Sequence, residues 1–162
     1  MPKTTIPFCA FVEAAGAPHT DFINSLHEYM LENDCKTEIK EAASGYVVSY
    51  IHKPSKRTVA NYVFRRQGLM IRIYADNVPA YMEMLANWPD AMKDAIKKAG
   101  ICKRLFDPEA CNARCLKGFD FILDGERQQP CRYVGFMFFL DDETKPHLKE
   151  LIVQEMETRK EA

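Results

Sequence analysis

Three observations predict an α+β fold for this chain, an antiparallel sheet covered by helices with a C-terminal cysteine-rich hairpin and helix. Apolar residues recur at helical spacing in Phe22, Leu26, Tyr29 and Met30, and again in Leu148, Leu151, Ile152 and Met156. Between these segments lie three runs rich in β-branched and aromatic residues, Tyr46 to Ile51, Val59 to Arg65 and Leu69 to Tyr74, which read as an antiparallel meander. A length of 162 residues with 47 % hydrophobic content suffices for one sizeable core and falls short of two ordinary domains. A single domain over 1–162 is therefore expected, with the helix, meander and helix pair at 20–100 and the cysteine-rich hairpin and last helix at 101–162.

Each element has a local reason. Pro7 to Pro18 shows little periodicity and reads as a loop or a short strand around Phe8 to Val12. Thr20 can cap a first helix over Asp21 to Asn33. The last two strands of the meander are joined by a turn at Gln67-Gly68. Asp76-Asn77 can start a helix through Val78 to Ala86, and Trp88-Pro89 breaks it and opens another that ends at Gly100. Beyond the cysteine-rich stretch come a strand at Phe119 to Leu123, the turn pair Asp124-Gly125, and a strand from Cys131 to Leu140. Asp142 to Pro146 signals the start of the final amphipathic helix.

Charge and hydropathy narrow the function classes. With 22 basic against 23 acidic residues, no excess of positive charge exists to drive counterion release, so nucleic acid is not an expected partner. His52-Lys53-Pro54-Ser55-Lys56-Arg57 is the most basic patch. The N-terminus lacks the apolar core of a secretory signal, and no apolar run approaches the roughly 18 residues that span a bilayer. A cytoplasmic protein without membrane partners is expected, its six cysteines held as thiols.

Four of those cysteines, Cys102, Cys111, Cys115 and Cys131, form the pattern C-x8-C-x3-C-x15-C. Thiolates are soft ligands suited to zinc, and a loop-rich stretch gains most from a structural metal. The pattern lacks the C-x2-C pairs of a strong zinc signature, so buried thiols and a reversible disulfide stand beside the metal as readings. If Asp124-Gly125 forms a two-residue turn, Leu123 pairs with Glu126 and Cys131 comes opposite Gly118, near Cys115 and Cys111, with Cys102 folded back by an Asp107-Pro108 turn to join them. Lys103, Arg104, Arg114, Lys117 and Arg132 flank the cysteines, a setting that lowers thiol pKa and suits either a thiolate-zinc site or a redox-sensitive pair.

Other constellations carry less. Asp21, Glu28 and Glu32 share one helix face within about 40°, which a hard cation such as ferrous iron could visit, although a solvated face explains them more simply. His19, His27, His52 and His147 are scattered. No H-E-x-x-H, G-x-S-x-G, P-loop or G-x-G-x-x-G motif is present. A cysteine nucleophile beside His27, His52 or His147 is the one enzymatic arrangement the residue types allow. Strand aromatics with Arg65, Arg72 or Arg132 could line a cleft for a small carboxylate ligand, though a packed sheet needs such residues anyway.

The helical Phe22 to Leu31, the run Tyr62-Val63-Phe64-Arg65-Arg66-Gln67-Gly68-Leu69-Met70-Ile71-Arg72-Ile73-Tyr74 and the amphipathic Ala91 to Ala99 together resemble the layout of the YdhG-like small bacterial domains over about residues 20 to 100. Most of that group have no assigned function, and the resemblance implies a lean toward iron handling and no catalytic residue. The expected function is a non-enzymatic zinc-binding or interaction protein using Cys102, Cys111, Cys115 and Cys131. A thiol-dependent or other small-molecule enzyme is the alternative, with iron handling behind it.

Overall fold

Alternating side chains from Cys35 onward build most of a five-stranded antiparallel sheet in this computed structural model, which describes residues 5–112 and 114–161. The strands are β1 (Cys35–Ala42), β2 (Gly45–His52), β3 (Arg57–Arg65), β4 (Gly68–Ile73), β5 (Phe121–Leu123), β6 (Glu126–Gln128) and β7 (Met137–Phe139). Their order is β1-β2-β3-β4-β7, and β5 with β6 makes a separate hairpin. The helices are α1 (Phe8–Ala15), α2 (Thr20–Glu32), α3 (Met82–Ala86), α4 (Asp90–Lys98) and α5 (Lys145–Glu161). No helix among the described residues is long and apolar enough to cross a membrane. The chain divides into two compact units, one of Met1–Ile71 with Phe139–Pro146, the other of Arg72–Phe138 with His147–Ala162.

In the first unit, the β2 and β3 strands expected from the sequence are present. The turn into β4 falls one residue earlier than expected, at Arg66 and Gln67. The strand β1 was not expected, because Lys36, Glu38, Lys40 and Glu41 break the apolar pattern by which strands are recognised. It pairs antiparallel with β2 from Cys35↔His52 to Ala42↔Gly45, across a two-residue loop. Gly45 has φ 140°, and a Cβ there would lie 2.9 Å from the Phe64 ring, so a side chain is excluded twice over.

The loop or strand expected around Phe8 to Val12 is instead the helix α1. Pro7 supplies extended backbone immediately before it, and Phe8, Phe11, Val12 and Ala15 recur at helical spacing with Phe11 wholly buried. In α2 the buried stripe is Ile23, Leu26 and Met30, so Phe22 and Tyr29 sit at its margins and not at its centre. These side chains pack with Val48, Tyr50 and Tyr62, all fully buried, to form the core of this unit.

In the second unit, the helix expected over Val78 to Ala86 is split. A 3-10 turn covers Val78–Ala80 and α3 begins at Met82. Trp88 packs edge-on against Phe138 at 5.7 Å, and Phe119 against Phe136 at 4.9 Å. The hairpin turns at Asp124-Gly125, with φ of 50° and 80°, and pairs Leu123 with Glu126 as the turn chemistry requires. Its two strands carry no cysteine. The strand expected from Cys131 to Leu140 is cut to β7, because the Val134 and Gly135 amides fold back onto the Cys131 carbonyl at 3.2 and 2.8 Å. Along α5, Leu148, Leu151, Ile152 and Met156 are fully buried, as their spacing foretold, and so is Glu155.

Candidate functional site

The first unit carries an open groove of about 550 Å³ lined by residues that include Phe8, His27, Thr37, Glu38, Ile39 and Lys40. That volume lies within the range of small-molecule sites. Phe8 belongs to the entry of α1, His27 to the flank of the buried stripe on α2, and the remaining four to β1. A second groove, of about 510 Å³, lies on the other side of α1, with Cys9, Glu13, Thr20 and Asn24 among its walls. Phe8 lines both.

His27 is the most constrained polar side chain in this area. Its ring stacks on Phe8 with centroids 3.7 Å apart and planes 14° apart, and its Nδ1 lies 3.0 Å from the Tyr50 hydroxyl. Burial holds the imidazole below its ordinary pKa of 6.5, against a smaller opposing pull from Glu28, so the ring is neutral at pH 7. Burial also raises the Tyr50 phenol, with Cys35 adding to it, so Tyr50 keeps its proton. Which of the two groups donates follows from the imidazole tautomer. The result is an imidazole held on an aromatic platform by one stacking contact and one hydrogen bond. Behind it, Tyr62 packs edge-on against Tyr50 at 6.2 Å, and its buried hydroxyl has no hydrogen-bond partner among the described residues.

The second unit holds the cysteine positions and a buried ionic network. Glu155 accepts from the Asn77 amide at 2.9 Å, Asn77 Nδ2 at 2.8 Å, the Tyr81 hydroxyl at 2.7 Å and Arg159 Nε at 2.6 Å. Arg159 also donates to the Tyr74 carbonyl at 3.1 Å and to Asp76 at 3.3 Å. Arg132 grips both oxygens of Asp76 and lies 4.7 Å over the Tyr74 ring. Two carboxylates thus face two guanidinium groups, with the charges balanced. The guanidinium fork that the sequence offered to a ligand carboxylate is filled by Asp76 from the same chain, and Arg72 donates to the Tyr133 carbonyl at 2.7 Å.

The four cysteines lie at different depths. Cys102 is buried, and its sulfur accepts from the Gly118 amide at 3.1 Å. Its own backbone joins the Gln129 carbonyl at 2.9 Å, so it reaches the hairpin base directly and not through the Asp107-Pro108 turn. The hairpin register continues to Phe119 and Pro130, which brings Cys131 opposite Gly118 as expected. Cys115 is half-buried and close enough to Tyr133 to add to the rise that burial imposes on that phenol. Cys111 is exposed, on left-handed backbone at φ 63°. Among the described residues, no group of three or more His, Cys, Asp or Glu side chains gathers as a metal ion requires. The intervening loop is held by Arg104, which donates to the carbonyls of Asn112, at 3.1 Å, and Cys115.

The remaining sequence candidates are separate. Asp21, Glu28 and Glu32 are all exposed on α2, with Asp21 and Glu28 about 10 Å apart along the axis. His52 bonds Ser55 at 2.8 Å, and His147 lies 6.2 Å from the Trp88 ring. Sequence reasoning passed over His27 as one of four scattered histidines. The available signal was its place one residue after buried Leu26, on the edge of an apolar stripe; nothing local announces Tyr50 as its partner. No family model, curated protein or solved structure matches the chain.

Proposed function

We propose that this chain is a non-enzymatic binding protein whose first unit takes a small planar ligand in the groove beside His27. One observation carries the reading: the His27 imidazole, stacked on Phe8 and hydrogen-bonded to Tyr50, lines an open groove of about 550 Å³. Its aromatic wall suits a flat apolar body, and the second imidazole nitrogen suits a single hydrogen-bonding group. Among the described residues the hydrogen-bond partner of His27 is a phenol with a raised pKa, which is a poor nucleophile. That arrangement favours binding over catalysis.

The test is amide-resolved NMR of the full chain with benzamide and indole as probes at millimolar concentration. Shifts confined to Phe8, His27 and Thr37 to Lys40, and lost in Phe8→Ala and His27→Leu, support the reading. Shifts scattered over the surface, or none, overturn it.

A second reading, structural zinc on Cys102, Cys111, Cys115 and Cys131, draws support from the Cys102 sulfur at the Gly118 amide and from Cys131 opposite Gly118 in the hairpin register. Metal analysis of protein purified under reducing conditions tests it. Stoichiometric zinc lost in Cys102→Ser and Cys131→Ser supports the site, and protein free of zinc removes it.

A further inference from the structure

We propose that the outer edge of β1 is a self-pairing surface, through which two copies of this chain join antiparallel about Ile39 into one continuous sheet. The proposal goes beyond the ligand reading and does not depend on it. β1 stands at one end of the sheet order, with β2 on one side. Pairing of Ala42 with Gly45 across a two-residue loop makes these two the closing hydrogen-bonded pair, so Lys40, Glu38 and Lys36 turn their backbone groups toward β2. The Lys53 amide donating to the Asp34 carbonyl at 2.8 Å keeps the same parity. Glu41, Ile39 and Thr37 therefore turn theirs outward, and among the described residues no other backbone group meets them.

Side-chain charge then selects the partner and the register. Lys36, Glu38 and Lys40 alternate in sign along one exposed face. In an antiparallel pair, facing residues must share a face, so a second copy can centre on Glu38, Thr37 or Ile39 but not between residues. Centred on Glu38, Glu38 meets the partner's Glu38 and Lys36 meets the partner's Lys40, like against like twice over. Centred on Ile39, Glu38 meets the partner's Lys40 on both sides of the axis, Ile39 meets the partner's Ile39, and pairing runs from Lys36 to Ala42. Centring on Thr37 also sets unlike charges together, but it needs extended backbone at Asp34, whose φ is 63°. The Ile39 register combines full overlap with opposite charges.

Charges on an edge strand usually guard it against pairing, which works where like meets like. Here the register of greatest overlap that avoids repulsion is attractive. One strand pair buries less than the roughly 1,200 Å² of a standard interface, so the dimer is a weak one that appears on concentration.

Sedimentation equilibrium of the full chain, reduced and at low salt, between about 10 µM and about 1 mM tests this. The expected result is a reversible dimer that weakens as salt is raised. Glu38→Lys and Lys40→Glu, each checked for an unchanged circular-dichroism spectrum, should raise the dissociation constant at least about fivefold. Mixing these two variants should restore it, because the Glu38→Lys chain presents two lysines to the two glutamates of the Lys40→Glu chain. A monomer up to about 1 mM overturns the proposal. So does a dimer indifferent to both substitutions, or one that mixing does not rescue.

Discussion

The Tyr81 hydroxyl donates to the Glu155 carboxylate at 2.7 Å, tying the entry of α3 to the buried face of α5. Glu155 is 0 % exposed and survives as a polar residue in an otherwise apolar stripe because four donors surround it. Truncation leaves the buried side chains of Arg159 and Tyr81, and half-buried Asn77, with unanswered donors. Glu155→Ala should therefore cost about 3–5 kcal/mol in urea unfolding, as for a buried ion pair broken on one side. Pairing it with Arg159→Met should recover part of that loss. A cost below about 1 kcal/mol would show that the network contributes nothing beyond its packing.

Stability should fall on mild acidification for a reason local to the first unit. His27 and His19 are both held below their ordinary 6.5, burial being the main cause for each. Between the folded and unfolded values the unfolded chain binds more protons, so stability is fully present above about pH 6.5 and is lost as pH drops through that window. The His27→Gln variant should show a shallower loss between pH 7 and pH 5 in denaturant titrations. An unchanged slope would mean that the Tyr50 contact does not depend on a neutral imidazole.

Removing one oxygen should stabilise the core. The Tyr62 hydroxyl is fully buried without a hydrogen-bond partner among the described residues, while its ring packs on Phe11 at 5.0 Å and on Tyr50 at 6.2 Å. Tyr62→Phe keeps the ring contacts and removes the desolvated group, so a gain of about 1 kcal/mol is expected. A loss of that size would reveal a hydrogen bond to water inside the core.

Gly118 controls the cysteine-rich loop by its lack of a side chain. A Cβ there would lie 2.6 Å from Cys102 Cβ and would also strike the Pro130 carbonyl. Gly118→Ala should loosen the stretch from Cys102 to Gly118 and raise tryptic cutting at exposed Arg114 and Lys117, with α2 and the meander unaffected. Arg104→Met should do the same by releasing the Asn112 and Cys115 carbonyls. Chelator added to the wild type separates the two readings of this loop: more cutting supports zinc on the thiols, and unchanged cutting assigns the order to these backbone contacts.

Where a residue's role rests on neighbours close in sequence, the chain announced it. The apolar spacing of Leu148 to Met156, the aromatic strands from Tyr46 to Tyr74 and the Asp124-Gly125 turn all express local periodicity or backbone preference, and each stands where it was expected. The failures are local too. Phe8 to Ala15 spans about two turns, too few for the spacing of Phe8, Phe11, Val12 and Ala15 to stand out from its other apolar residues, and the charges of β1 suit an edge strand that buries one face in part.

Tertiary structure alone decided the rest. His27 meets Tyr50 across 23 residues, Glu155 meets Tyr81 across 74, and Arg132 spends its guanidinium on Asp76 across 56. Such pairs depend on strand register, helix rotation and the depth at which each side chain comes to rest. Nothing in the spacing of cysteines or histidines along the chain encodes those quantities, because a polar residue's partner is set by which group lies within hydrogen-bond reach once the apolar faces have packed.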